Sequence, residues 1–154
     1  MKRDKNKLVI EQLDRKIEKF APLGTVIAPP KGWINAIRTA VRMSLRQLGD
    51  KLRITPQSVR GIEQREADGT ITLNALREVA EAMDMKLVYG FVPKEQSLEK
   101  WIDKKAHEAA RKIVMRTSNT MKLEDQENKP KRIEKAIRDR AEEIKNEMPK
   151  YLWD

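Results

Sequence analysis

A chain of 154 residues with a formal net charge of +9, 37% charged residues and only 5% aromatics has room for one domain, or for one small domain with long extensions. That balance favours a helical protein with a modest core over a large enzyme core, and the lack of cysteine excludes disulfides and thiol chemistry. No apolar run approaches the roughly 18 residues of a membrane span and no signal-peptide core follows Met1, so a cytoplasmic, nucleoid-associated location without membrane contact is expected.

The charge is segregated along the chain. Residues 1–30 hold seven Lys/Arg against four Asp/Glu, and residues 31–65 hold eight against two. Residues 66–154 hold eighteen of each. A partner whose bound counterions are displaced on contact, such as the phosphate backbone of double-stranded DNA, suits such an excess. An acidic protein is the alternative.

Residues 1–31 read as a basic arm, a helix and a connector. The arm, MKRDKNK, is either a disordered tail or a segment that reaches along DNA. A helix is expected from Asn6 to Phe20, with Val9, Ile10, Leu13, Ile17 and Phe20 on one stripe. Ala21 to Gly32 carries three prolines and two glycines, which rules out regular helix there. Leu23, Val26 and Ile27 give this connector apolar groups to bury.

Residues 32–92 carry the densest local signals. Trp33, Ile34, Ile37, Ala40 and Val41 predict a first helix. Leu45, Leu48 and Leu52 then recur at i, i+3 and i+7, behind Ser44 and with Gln47 three residues further on, a capping box. A tight turn leads to Thr55 and Pro56, an N-cap followed by a residue whose fixed φ suits the first helical position. Val59 and Ile62 form the apolar edge of that second short helix, so Gln57, Ser58, Arg60, Gly61 and Gln64 face outward. A loop is expected from Arg65 to Thr70, with the turn signal Asp68-Gly69, before a helix from Thr72 that supplies Leu73, Leu76, Val79, Ala80 and Met83.

The outward face is amide-bearing and cationic, as a major groove requires. Gln pairs bidentately with adenine, Arg with guanine, Ser with base or phosphate, and Gly61 lets the backbone come close. The expected base contacts are therefore Gln57, Ser58, Arg60 and Gly61. Arg42, Arg46, Thr55, Gln64 and Arg65 are the expected backbone contacts. The plain alternative is a helical hairpin with a solvated polar face.

Met85 to Pro93, MKLVYGFVP, changes period and predicts one short β-strand. A single strand needs a partner, either a twin across a two-fold axis or the connector around Thr25 to Ala28. Residues 93–154 read as a C-terminal helical region. Ser97 caps a helix with Leu98, Ile102, Ala106, Ala109 and Ile113 on one edge, and Ile133, Ile137, Ala141, Ile144 and Met148 repeat those steps beyond Pro130. Each helix has one apolar edge to set against the other, a dimer mate or a partner protein. The tail Tyr151-Leu152-Trp153 is apolar enough to dock.

Residues 32 to 84 resemble the helix-turn-helix domain of Cro and lambda-type repressors, the XRE family. The resemblance rests on the helix pair, on Ile37 to Arg42 before it and on Thr72 to Met83 after it. It implies an all-α lambda repressor-like fold. It also implies an ion pair between Arg38 of the first helix and Glu63, which would end the recognition helix, and a close crossing at Gly49. Leu45 stands where the family often has Gln, and Arg53 where it usually has Gly, so a left-handed backbone at Arg53 would cost about 1 kcal/mol.

The whole chain is similar to the group called mobile mystery protein A, through the tract Arg116 to Gln126 and the ending Leu152-Trp153-Asp154. The resemblance implies the autoregulating, antitoxin-like half of a two-gene module, read as a homodimer on an inverted repeat, beside a Fic-domain partner. Thr120 and Glu124 have the spacing of the inhibitory motif of Fic antitoxins, although Asp125 departs from its Gly or Asn. A protein-binding antitoxin for which DNA is secondary is thus the alternative function. No enzyme is expected. The single His107 sits in a polar helix, and there is no nucleophile elbow, phosphate-cradling loop or metal cluster, hence no cofactor.

Overall fold

A computed structural model of the chain describes residues 2–123 and 130–154, with the side chains of residues 119–123 excepted. Seven α-helices account for most of the described residues: α1 (Lys2–Glu18), α2 (Trp33–Ala40), α3 (Leu45–Leu52), α4 (Pro56–Asp68), α5 (Leu73–Ala82), α6 (Leu98–Leu123) and α7 (Pro130–Glu147). Short 3-10 turns follow α1 at Ala21–Thr25 and end the chain at Lys150–Trp153. The chain divides into two units, residues 25–89 and residues 1–24 with 90–154.

The first unit contains α2 to α5. Its centre is Ile34, Leu48, Val59 and Val79, one residue from each helix, with Leu45, Leu52, Ile62, Leu76 and others packed around them. The starts of α3, α4 and α5 are each fixed by the residue just ahead. Ser44 and Gln47 make the full capping box, while Thr55 and Thr72 accept from the amides of Ser58 and Ala75. Such caps satisfy amides that have no partner inside the helix.

The helix ends share one device. Met43 donates to Arg38 O, Ile54 to Gly49 O, Thr70 to Arg65 O and Met85 to Ala80 O, each bond closing a helix five residues back. The residue before each donor is left-handed, as this closure requires. It is Arg42, Arg53, Gly69 and Asp84 in turn, with φ of 56°, 58°, 79° and 56°.

Several local expectations give way. α4 continues through Asp68, so Arg65 lies within the helix and the loop shrinks to Gly69–Thr72. α2 stops at Ala40, short of Val41, and Trp33, Val41 and Leu73 are exposed while Ile34 is buried. α1 begins at Lys2, so the expected arm is helical, and it ends two residues before Phe20.

The predicted β-strand is absent: the described residues contain no strand at all. Residues 85–93 run without regular structure, and so do residues 26–28, the connector proposed as their partner. Local β-propensity cannot hold a strand whose backbone groups find no ladder, because what it measures is packing on a pleated surface. Most of the segment's apolar side chains are exposed instead, and close approaches occur at two glycines. Phe20 lies over Gly90, where a Cβ would come within 2.8 Å of its ring, and Val92 sits beside Gly24.

The second unit is built on α6 and α7, whose apolar edges face each other through Ile102, Ala106, Ala110, Ala141 and Ile144, joined by Leu152 of the tail. Lys145 near the end of α7 reaches Glu99 and Asp103 near the start of α6, so the two run antiparallel. Alanines at the contact let the backbones approach closely. α1 adds Ile10 to the edge of this core and contributes a cap. The Asp14 carboxylate accepts from the amides of Leu98 (2.7 Å) and Glu99 (3.2 Å), while Ser97 Oγ accepts from Lys100. Negative charge at a helix start also opposes the positive end of the helix dipole.

Candidate nucleic-acid interface

α4 has two faces of different chemistry. Its inner face carries Val59 and two carboxylates, Glu63 and Glu66, one turn apart. Glu63 accepts from Arg38 Nε (2.5 Å) and Nη2 (3.2 Å) and from Asn35 Nδ2 (3.0 Å). Arg38 also donates to Met43 O (2.9 Å), so one guanidinium ties α2 to the turn before α3 and to α4. Both partners are largely shielded, their side chains 11% and 9% exposed. Burial pushes the Glu63 carboxyl up, but the hydrogen bonds from Arg38 and Asn35 and the charges of Arg38 and Arg60 outweigh it, holding the group below its ordinary range.

Glu66 supplies what the start of α2 lacks. Gly32 precedes that helix and has no side chain to cap it, and Glu66 Oε1 accepts from the Ile34 amide at 2.8 Å. Gly32 is needed twice over, since its φ is 85° and a Cβ there would come within 2.5 Å of the Glu66 carboxylate. Two carboxylates and an apolar edge thus set the rotation of α4 about its axis.

That rotation decides what faces out. Gln57, Ser58, Arg60, Gln64 and Arg65 are exposed, and Gly61 is half-buried. The face is therefore amide, hydroxyl and guanidinium, with no large apolar side chain. Gly49 makes the preceding helix lie close, for a Cβ there would stand 2.7 Å from Ile54 O and 3.4 Å from Val59 Cγ2. The gap between α3 and α4 is accordingly bridged by three residues, Arg53 to Thr55.

Some of the expected contact groups have partners of their own. Thr55 Oγ1 accepts from the Ser58 amide and donates to Ser58 Oγ at 2.9 Å. Gln64 Nε2 donates to Asp68 at 3.0 Å, and Arg46 pairs with Asp50 at 3.5 Å, both in water-exposed positions where such bonds exchange readily. The guanidinium of Arg65 lies over Gly61, 3.3 Å from where a Cβ would be, so it is the far end of a flexible side chain that covers that stretch of bare backbone. Arg42 and Arg60 are exposed and make no ion pair among the described residues.

One exposed cation in the turn before α4 is absent from the set expected from the sequence. Arg53 occupies the turn between α3 and α4, exposed and left-handed. Its place in the tight turn between the two helices was the available signal. The motif anticipated at Thr120 and Glu124 lies outside the described residues, since Glu124 is not among them and the Thr120 side chain is excepted. Elsewhere, His107 is exposed and bonds Asp103 O, and no group of three potential metal ligands occurs among the described residues. No described helix is long and apolar enough to cross a membrane.

Comparison of the chain with protein-family models, with curated proteins and with solved structures gives no match.

Proposed function

We propose that the chain is a sequence-specific, double-stranded DNA-binding regulator that inserts α4 into the major groove. The observation that carries this reading is the outer face of α4: Gln57, Ser58 and Arg60 stand exposed on a helix whose opposite face is fixed by Glu63 and Glu66. Rigid presentation matters because base readout depends on bidentate geometry. The excess of Lys and Arg within residues 31–65 supports the same reading, and so does the resemblance of residues 32–84 to the XRE family.

In this reading Gln57, Ser58 and Arg60 meet base edges, with the backbone of Gly61 open to the groove once Arg65 swings to a phosphate. Arg42, Arg46, Arg53, Thr55 and Gln64 position the duplex. A homodimer sets two copies of α4 in successive grooves about 34 Å apart and reads an inverted repeat. The natural operator is the chain's own upstream DNA, as for the autoregulating, antitoxin-like member of a two-gene module in the cytoplasm.

Titrating labelled upstream DNA against scrambled DNA, at several salt concentrations, tests the assignment. Arg60→Ala is expected to cost about 1–3 kcal/mol and to relax the sequence preference, while Arg46→Ala weakens all sequences alike and lowers the salt slope by about one. Equal losses on every sequence for both variants would contradict it.

A further inference from the structure

Along the contact of α6 and α7 the small residues run out. Ala106, Ala110 and Ala141 are buried where the helices pack, but toward the end of α6 a cleft of about 470 Å³ opens between the two. Ile113, Val114, Ile133 and Ala136 give it apolar walls. Ser118 lines it as well, 2% exposed, and its Oγ has no hydrogen-bond partner among the described residues. The neighbouring hydroxyl shows what is missing. Thr117 Oγ1 donates to Ile113 O, one turn back, at 3.2 Å, a common outlet for a helical hydroxyl.

A buried hydroxyl without a partner destabilises a fold. Alanine at the same place would fill nearly the same volume, favour the helix and leave nothing unsatisfied. Serine at 118 is thus unfavourable in the chain alone and becomes favourable once a bound group supplies the partner. Water suits the place poorly, since a buried water needs several polar partners and the walls beside Ser118 are apolar.

We propose that this cleft binds a small, uncharged, largely apolar molecule with one hydrogen-bonding group, a ring compound carrying an N–H, hydroxyl or carbonyl being the simplest case. Apolar walls with a few placed polar groups are the usual make-up of a small-molecule pocket, and the volume lies in the usual range. The charges on the lining argue for a neutral ligand. They are Arg132, Asp139, Arg140 and Glu143, two of each sign, and Arg140 already donates to Glu143 at 2.6 Å. Neither sign of ligand charge gains from that set. Ser118 Oγ is shielded from solvent, so the ligand meets it through a change of χ1 from one staggered well to another. The site belongs to residues 1–24 and 90–154 and stands whether or not α4 reads DNA.

The test uses the full chain and two probes of one shape, indole and indene, of which only indole carries an N–H. Titrations followed by the methyl NMR signals of Ile113 and Ile133 are expected to saturate with indole, which should bind roughly fivefold or more tightly than indene. Ser118→Ala should abolish that preference by weakening indole alone. It should also leave the melting temperature of the ligand-free chain unchanged or higher, because it removes an unsatisfied group. Ala136→Trp, at an exposed position of α7, should fill the cleft and remove the binding of both probes with the helical signal intact. An indole carboxylate, which adds a negative charge to the same rings, should bind more weakly than indole. Failure of indole to shift those methyls up to its solubility limit overturns the proposal, and so does a preference for indole that survives Ser118→Ala. A lower melting temperature in the ligand-free Ser118→Ala chain would give the hydroxyl a partner within the protein and overturn it too. Tighter binding of the carboxylate overturns the ligand class.

Discussion

In residues 25–89 the orientation of the principal helix is fixed by carboxylates: Glu63 to Arg38 and Asn35, and Glu66 to the start of α2. In residues 1–24 and 90–154 the α6–α7 contact is apolar and alanine-rich, and the ion pairs of Lys145 with Glu99 and Asp103 lie near the surface. Apolar packing is non-directional and tolerates small slides of one helix on another. A guanidinium gripping a carboxylate at two atoms does not. The firmer grip suits the work proposed for α4, because a helix that reads base edges must hold its rotation.

The largest expected effect separates the two directly. Glu63→Ala leaves the Arg38 guanidinium shielded and uncompensated, and breaking such a pair costs about 3–5 kcal/mol. Amide exchange should locate the loss in residues 25–89 and leave α6–α7 protected, and equal loss in both units would deny the distinction. The same carboxyl makes stability depend on pH. Its folded value is lowered, so its contribution is complete above the unfolded value near 4.3 and disappears as pH falls through the folded one. Glu63→Gln should flatten that acid limb in an equilibrium unfolding series below about pH 5. A limb of unchanged steepness would place its origin elsewhere.

A middle-sized effect probes the other unit. Asp14→Ala removes the carboxylate that accepts from Leu98 and Glu99, and Ser97 retains only the Lys100 amide. Loss of a helix cap costs about 1 kcal/mol. The expected signature is faster amide exchange at residues 98–99, with the exchange of α2 to α5 unchanged. Unaltered exchange at those two amides would show that solvent replaces the cap at no cost.

Asp14 and Glu66 mark where sequence reading stops. The helix starts at Ser44, Thr55 and Thr72 are legible because cap and amide lie three residues apart, within one turn of chain. The outward set of Gln57, Ser58 and Arg60 follows from the placing of Val59 and Ile62, again a local matter. Asp14, by contrast, caps a helix 84 residues away, and Glu66 one 32 residues back. Nothing near either residue announces it. The expected strand over residues 85–93 failed for the converse reason: its composition was right, but strand formation depends on a distant partner that composition does not reveal. α4 ran past its predicted end, through Asp68, to the left-handed Gly69 at which it closes. The use of the α4 face is a separate matter from its position, and only the DNA titrations bear on it.

The smallest effect tests whether the turn at Arg53 is kept for its charge. A left-handed residue with a side chain costs roughly 1 kcal/mol or slightly more relative to glycine. Glycine gives part of this back, because it has more backbone freedom to lose on folding. Arg53→Gly should therefore stabilise residues 25–89 by a few tenths of a kcal/mol up to about 1, as read from denaturant midpoints at constant slope. If Arg53 lies on the phosphate path, the same variant should bind all DNA more weakly and lose about one from the salt slope. A rise in stability together with that loss identifies the strain as the cost of presenting a cation in the turn. A rise with unchanged DNA affinity would mean that the left-handed bend is needed only to bring α3 and α4 together over Gly49.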